Sequence, residues 1–326
     1  MFVPTTFHVA LLMTVLSTVC WGSFANTFKV TKNYRFELYY WDYGLGIFLI
    51  SLVLAFTMGS FAGGPTAFLA NLHAADGINL FYAALGGFIF NIANTLLVAG
   101  IEIVGLAIAY PVSIGIALVE GVVLSYALQP RGNPMLLALG ILMAVVALML
   151  VGKAYGALRK PGDTVSRRGV VVCVISGFLM GIFAPFVTRA MTRGATLTPY
   201  TTAVFLTLGA FVCLFFFNTI LMRKPITGAP VAMGEYFRVS GSYHALGLLG
   251  GAIWGCGTVF NFVAASLVGV AISYAIGQAS PMVACIWGVF VWKEFRGANA
   301  RAKGYLAAMF AAYVLALVLI ARAYAG

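Results

Sequence analysis

The chain has 326 residues, 62% of them hydrophobic and only 8% charged, with a mean hydropathy of +1.02. A water-facing surface needs roughly a quarter charged residues, so this composition excludes disordered chains, secreted disulfide scaffolds and cytosolic enzymes. The net charge of +11 comes from Lys and Arg spread over short joints between apolar runs, which marks orientation in a bilayer and not nucleic-acid binding.

Apolar windows of helix length predict ten transmembrane helices, at 7–28, 41–60, 79–100, 104–127, 134–154, 169–191, 199–222, 244–265, 269–292 and 302–324. A membrane barrel would alternate apolar and polar residues in ten-residue segments, and these windows do not. The first window has no basic leader and is long enough to cross, so it reads as a retained helix and not a cleaved signal. The joint 155–168 is polar and carries Arg159, Lys160, Pro161, Gly162, Arg167 and Arg168. It divides the chain into a first five-helix repeat, 1–154, and a second, 169–326.

An offset of 164 residues pairs Leu85-Gly86-Gly87 with Leu249-Gly250-Gly251, Val104-Gly105 with Val268-Gly269, and Ala107-Ile108-x-Tyr110 with Ala271-Ile272-x-Tyr274. Ile89 with Ile253 and Val119 with Val283 complete ten identities between 85 and 119. An odd number of helices per repeat inserts the second copy upside down, the architecture of many secondary transporters. The expected fold is therefore an all-α membrane protein of ten helices in two inverted repeats.

Assigning basic residues to alternate sides leaves 4 on the side of the N-terminus (Arg131, Arg189, Arg193 and Arg322) and 15 on the other. The positive-inside rule then places both termini outside and the 155–168 linker in the cytoplasm, within an inner (cytoplasmic) membrane.

Among the acids, Glu37, Asp42, Asp76, Asp163, Glu235 and Glu294 are expected at helix ends or in loops, and Glu102 between the third and fourth helices. Glu120 lies inside Ile116-Ala-Leu-Val-Glu-Gly-Val-Val-Leu124. An ionised carboxylate there costs several kcal/mol unless it faces a cavity, pairs or takes up a proton. Glu120 is the first candidate for proton coupling, with Asp42 and Glu102 behind it. Tyr110, Ser113, Ala117 and Glu120 recur at three- and four-residue spacing and are expected on one helix face. The related stripe in the ninth helix runs Tyr274, Gln278 and Pro281.

Asn91, Asn94 and Thr95 in the third helix, Trp254, Thr258 and Asn261 in the eighth, and Trp21, Ser23 and Asn26 in the first add amides, hydroxyls and indoles. No Lys or Arg lies in the central spans to hold a phosphate or carboxylate. The set therefore suits a small, neutral, planar, hydrogen-bonding solute, translocated with protons. The binding candidates are Trp21, Asn26, Asn91, Asn94, Tyr110, Ser113, Glu120, Trp254, Thr258, Asn261, Tyr274 and Gln278. Motifs for hydrolysis or nucleotide binding are missing, the five cysteines form no CxxC pair, and the three histidines have no companions at ligand spacing. No catalytic residue, metal or cofactor is expected.

Val104-Gly-Leu-Ala-Ile-Ala-Tyr-Pro-Val-Ser113 in a ten-helix chain resembles the drug/metabolite transporter superfamily, including its glucose/ribose and rhamnose uptake branches. Asp42-Tyr43 opening the second helix is similar to its ureide permeases, as are Gly247-Leu-Leu-Gly-Gly-Ala-Ile-Trp-Gly255 and Trp287-Gly-Val-Phe-Val-Trp-Lys-Glu-Phe-Arg296. The resemblance implies proton-coupled uptake of allantoin, uracil and similar oxo-heterocycles with outward termini. Plant members carry a long central loop with a phosphate-loop-like motif that the short 155–168 joint lacks, so nucleotide regulation does not carry over. Two other readings stand beside this one: monosaccharide uptake, and efflux of lipophilic cations with Glu120 as counter-ion.

Overall fold

Lipid offers no water to satisfy backbone amides, so each crossing segment must close its own hydrogen bonds. The computed structural model, described here for residues 1–31, 34–158, 166–225 and 228–325, contains helices and no strand among those residues. Among the described residues, ten helices are long and apolar enough to span a membrane: α1 Phe7–Val30, α2 Phe36–Phe56, α3 Gly77–Val104, α4 Ala107–Leu128, α5 Pro134–Gly156, α6 Arg167–Thr192, α7 Pro199–Arg223, α8 Gly241–Val268, α9 Val270–Val291 and α10 Ala300–Tyr324.

These agree with the expected windows except at α2, which starts five residues early. Asp42 is thus inside a helix and 3% exposed, and Glu37 is 7% exposed, where an end or loop was expected. The early start is stabilised by one local ion pair and one partner that is distant in sequence. Arg35 pairs with the Glu37 carboxylate at 2.9 Å, and the Asn218 amide donates to the Glu37 carbonyl at 2.8 Å. Glu102 also differs from expectation, sitting in the last turn of α3 and not between helices. Of the 155–168 joint, residues 159–165, with Asp163 among them, lie outside the described residues.

Two compact units draw on both halves of the sequence. The first combines Met1–Ile92 with Phe186–Leu267, the second Ala93–Pro185 with Val268–Gly326. The division cuts α6 after Pro185, whose missing N–H interrupts the helical ladder there.

In the first unit, glycines let helix backbones touch. A Cβ on Gly87 of α3 would strike the Leu206 carbonyl of α7, and one on Gly209 of α7 would strike the Ala84 carbonyl of α3. The α2–α8 crossing repeats this arrangement: Gly251 faces the Tyr43 carbonyl and Gly46 the Leu248 carbonyl. Small residues at membrane crossings trade side-chain volume for close van der Waals and backbone contact.

In the second unit, α4 and α9 pack against each other and neither is regular. Gly105 (φ 76°) and Gly269 (φ 86°) hold left-handed backbone just before them, a conformation that a side chain disfavours. A π-helical turn at Tyr110–Ile114 contains Pro111, which cannot donate to the carbonyl four residues back. This turn advances Tyr110 relative to Ser113, Ala117 and Glu120, so the single α-helical face expected for the four does not hold. In α9 the helix breaks at Gln278 and Ala279 and resumes at Ser280–Ile286, with Pro281 at its start. The expected continuous stripe through Tyr274, Gln278 and Pro281 is interrupted for the same reason.

Candidate functional site

In the first unit, Trp254 stacks on Trp21 at 6.1 Å between ring centroids and on Phe90 at 5.0 Å. The Trp21 indole N–H donates to Thr258 at 3.2 Å, and Thr258 in turn lies 3.2 Å from the Trp254 carbonyl. Gly257 gives Trp21 its room, since a Cβ there would come within 2.9 Å of the indole Cδ1. Next to Phe90 in the chain, Asn91 is buried and accepts from the Tyr40 hydroxyl at 2.8 Å. Asn261 is buried in α8. Asn26 donates to the Ser23 carbonyl at 2.8 Å, where α1 is interrupted after Ser23, so it supports a helix joint. The structure therefore brings Trp21, Trp254 and Thr258 together through direct contacts.

The same unit holds a cluster that the sequence did not reveal. Both oxygens of Asp42 are engaged: Oδ1 accepts from the Tyr236 hydroxyl at 2.6 Å and Oδ2 lies 2.8 Å from His244 Nδ1. Tyr236 packs edge-on to the His244 ring at 4.5 Å. Burial and then the Asp42 hydrogen bond and charge push the Tyr236 phenol above its usual range, which keeps it a donor. Burial, then Asp42, pushes Tyr34 up to about 12. The Asp42–His244 pair was not foreseen, because spacing shows neighbours along a helix and not partners 202 residues away.

In the second unit, Glu120 rests on Gly181 of α6, where an added Cβ would come within 2.5 Å of its Oε2. That oxygen is buried with no hydrogen-bond partner among the described residues. Pro185 cannot donate to the Gly181 carbonyl, so this acceptor beside Glu120 lacks its ordinary helical bond. Tyr274 is buried with its hydroxyl 3.3 Å from the Ala117 carbonyl and 3.4 Å from that of Met180, which ties α9 to α4 and α6. Ser113 donates to the Cys173 carbonyl at 2.8 Å, a helix-to-helix contact. Gln278 is 7% exposed at the break in α9, its own N–H bonded to Tyr274. Tyr110 opens the π-helical turn, and Asn94 is half-buried in α3.

Glu120, Ser113 and Tyr274 thus meet α6 or its neighbours through backbone carbonyls and glycines, while Gln278 occupies a helix break. Broken helices in membrane proteins commonly mark the places where solutes meet backbone.

Residues 160–323, half of the chain, match the family described as ureide permease. The chain belongs to the ureide permease family. Ureide permease 1 of Arabidopsis thaliana is 20% identical to it over 86% of this chain and 87% of that protein. A protein of Lactococcus lactis subsp. lactis (strain IL1403), named provisionally for sugar uptake, is 24% identical over 74% of this chain and 79% of its own. A protein of known crystal structure shares the fold with a TM-score of 0.66 at 14% identity, over 96% of this chain and 98% of that one. Ten spanning helices and this membership make the chain a multi-pass membrane protein of a permease family.

Proposed function

We propose that this ureide permease family member is an inner-membrane secondary transporter that takes up a neutral nitrogen heterocycle such as uracil or allantoin together with protons. The observation that carries the reading is the Trp21–Trp254 stack with its Thr258 hydrogen bond. Trp254 is buried against Trp21 and Phe90, which leaves the half-buried Trp21 as the indole able to stack on a flat ring, with the Thr258 hydroxyl beside it for a planar imide or ureide edge. The Arabidopsis relative, named a ureide permease, supports this substrate class.

Transport runs by alternating access between two inverted five-helix repeats, 1–154 and 169–326. The glycine crossings support this symmetry, because the 164-residue offset that relates Gly87 to Gly251 also relates Ala84 to Leu248. The left-handed Gly105 and Gly269 differ by the same offset. Both termini face outward and the 155–168 linker inward, in keeping with the distribution of basic residues. Glu120 carries the proton: its Oε2 is buried against Gly181 with no hydrogen-bond partner among the described residues, a setting that favours the neutral form of the carboxyl. Gln278 reads the edge of the heterocycle.

Sugar uptake is the second reading, favoured by the Lactococcus relative. A thermal-shift panel on the purified protein separates the two, since a ligand bound only to the folded state raises its melting temperature by mass action. Uracil or allantoin should stabilise it, while glucose, ribose and rhamnose should not. Stabilisation by a sugar alone would transfer the assignment to monosaccharides.

A further inference from the structure

A recess of about 630 Å³ lies where α9 ends and α10 begins, lined by Val289, Lys293, Phe295, Arg296, Lys303, Leu306, Ala307 and Phe310. Its two kinds of wall are sorted. Lys293, Arg296 and Lys303 supply three exposed cations, and Val289, Leu306, Ala307 and Phe310 supply apolar surface. Phe290 and Val291 beside it are 70% and 52% exposed, as lipid-facing residues are.

The recess is built from well-held backbone. Lys293 adopts φ 56°, and the turn is closed by Trp292 N–H to the Trp287 carbonyl and Glu294 N–H to the Gly288 carbonyl. Tyr155 of α5 donates to the Glu294 carboxylate at 2.8 Å, and Phe295 is buried as a plug at 6% exposure. Asn299 caps α10 by accepting from Ala302 at 2.8 Å. Among the described residues no carboxylate lies within ion-pair distance of Lys293, Arg296 or Lys303. Arg301 and Lys303 also stand in the first turn of α10, which carries no acidic residue, so the helix dipole opposes them. Orientation signals alone need cations somewhere on this side, but they do not need them gathered over an apolar slot.

We propose that this recess holds the headgroup of an anionic phospholipid, with Lys293, Arg296 and Lys303 around the phosphate and an acyl chain along Leu306, Ala307 and Phe310. The chemistry that fits is a phosphate joined to a hydrocarbon chain at the membrane surface, and basic recesses at the ends of membrane helices bind such lipids. The site is distinct from the residues assigned to the solute and does not depend on which solute is carried.

The test compares lipid retention by the whole protein in nanodiscs of phosphatidylcholine alone and of phosphatidylcholine with phosphatidylglycerol in equal amounts, read by native mass spectrometry and thermal melting. Wild type should retain phosphatidylglycerol and melt higher in its presence. Each basic residue at an anionic surface contributes roughly fivefold in affinity, so Lys293→Gln/Arg296→Gln/Lys303→Gln should lose on the order of a hundredfold. Ala307→Trp fills the apolar wall without changing charge, should also lose the lipid, and keeps the proposal testable where the triple variant fails to fold. Arg301→Gln, whose cation lies over the Tyr305 ring, should retain the lipid. Equal retention of both lipids by wild type, an unchanged preference in the triple variant and in Ala307→Trp, or a loss in Arg301→Gln equal to that in the triple variant would overturn the proposal. So would an equal melting shift from inorganic phosphate in detergent, which would make the recess a small-anion site.

Discussion

Asp42 and His244 are 202 residues apart in the chain, and their side chains meet at 2.8 Å, with Tyr236 completing the carboxylate at 2.6 Å. One acid therefore joins α2, α8 and the segment before α8 within the first unit. Asp42→Leu leaves the Tyr236 hydroxyl and His244 Nδ1 without their common partner, which costs about 1 kcal/mol because both are half-buried and water replaces part of the loss. Denaturation of the purified protein should show that loss, with Asp42→Asn much milder because an amide still hydrogen-bonds both. An Asp42→Leu variant as stable as wild type contradicts a structural role for the cluster.

Glu120→Gln keeps the size and a hydrogen-bonding head but cannot release a proton. Substrate exchange across vesicles should persist while pH-driven accumulation is lost. Normal accumulation against a gradient would make Glu120 structural and transfer the coupling role to Asp42 or Glu102.

Gln278→Leu should weaken heterocycle binding by roughly tenfold, the scale of one buried amide pair lost. Calorimetry measures it directly, and expression should hold because leucine suits a membrane helix. Equal binding by variant and wild type would place the recognition edge at Asn94 or Asn261.

Gly87→Ala forces a methyl group into the Leu206 carbonyl, and backbone cannot yield as a side-chain tip can. Overpacking of this kind costs about 1 to 3 kcal/mol or more, so its folded yield and melting temperature should drop. Gly115→Ala meets nothing within 4 Å and should behave as wild type. Similar stability of the two variants would show that the α3–α7 crossing relaxes.

The ten spans were legible because a bilayer demands about 20 apolar residues per crossing, a constraint written locally in the chain. The start of α2 was not, since Glu37 and Asp42 look like surface charges until Arg35, Asn218, His244 and Tyr236 are seen beside them. Trp21 and Trp254 could be named from their depth in the spans, but their mutual stacking depends on how α1 meets α8. The break at Gln278 had a visible cause in Pro281, whose effect on the preceding carbonyls follows from proline chemistry. The π-helical turn at Tyr110–Ile114 likewise accompanies Pro111. In both cases the α-helical period was carried across a proline that ends it.

Uptake of labelled uracil and allantoin into proteoliposomes holding only this protein, measured with and without an inward proton gradient, decides whether it carries a heterocycle together with protons. A proton-coupled heterocycle transporter should show saturable uptake of at least one heterocycle, accumulation above the external concentration when the gradient is imposed, and collapse of that accumulation on adding a protonophore. Uptake of neither heterocycle under any gradient, or accumulation indifferent to the protonophore, would contradict this function.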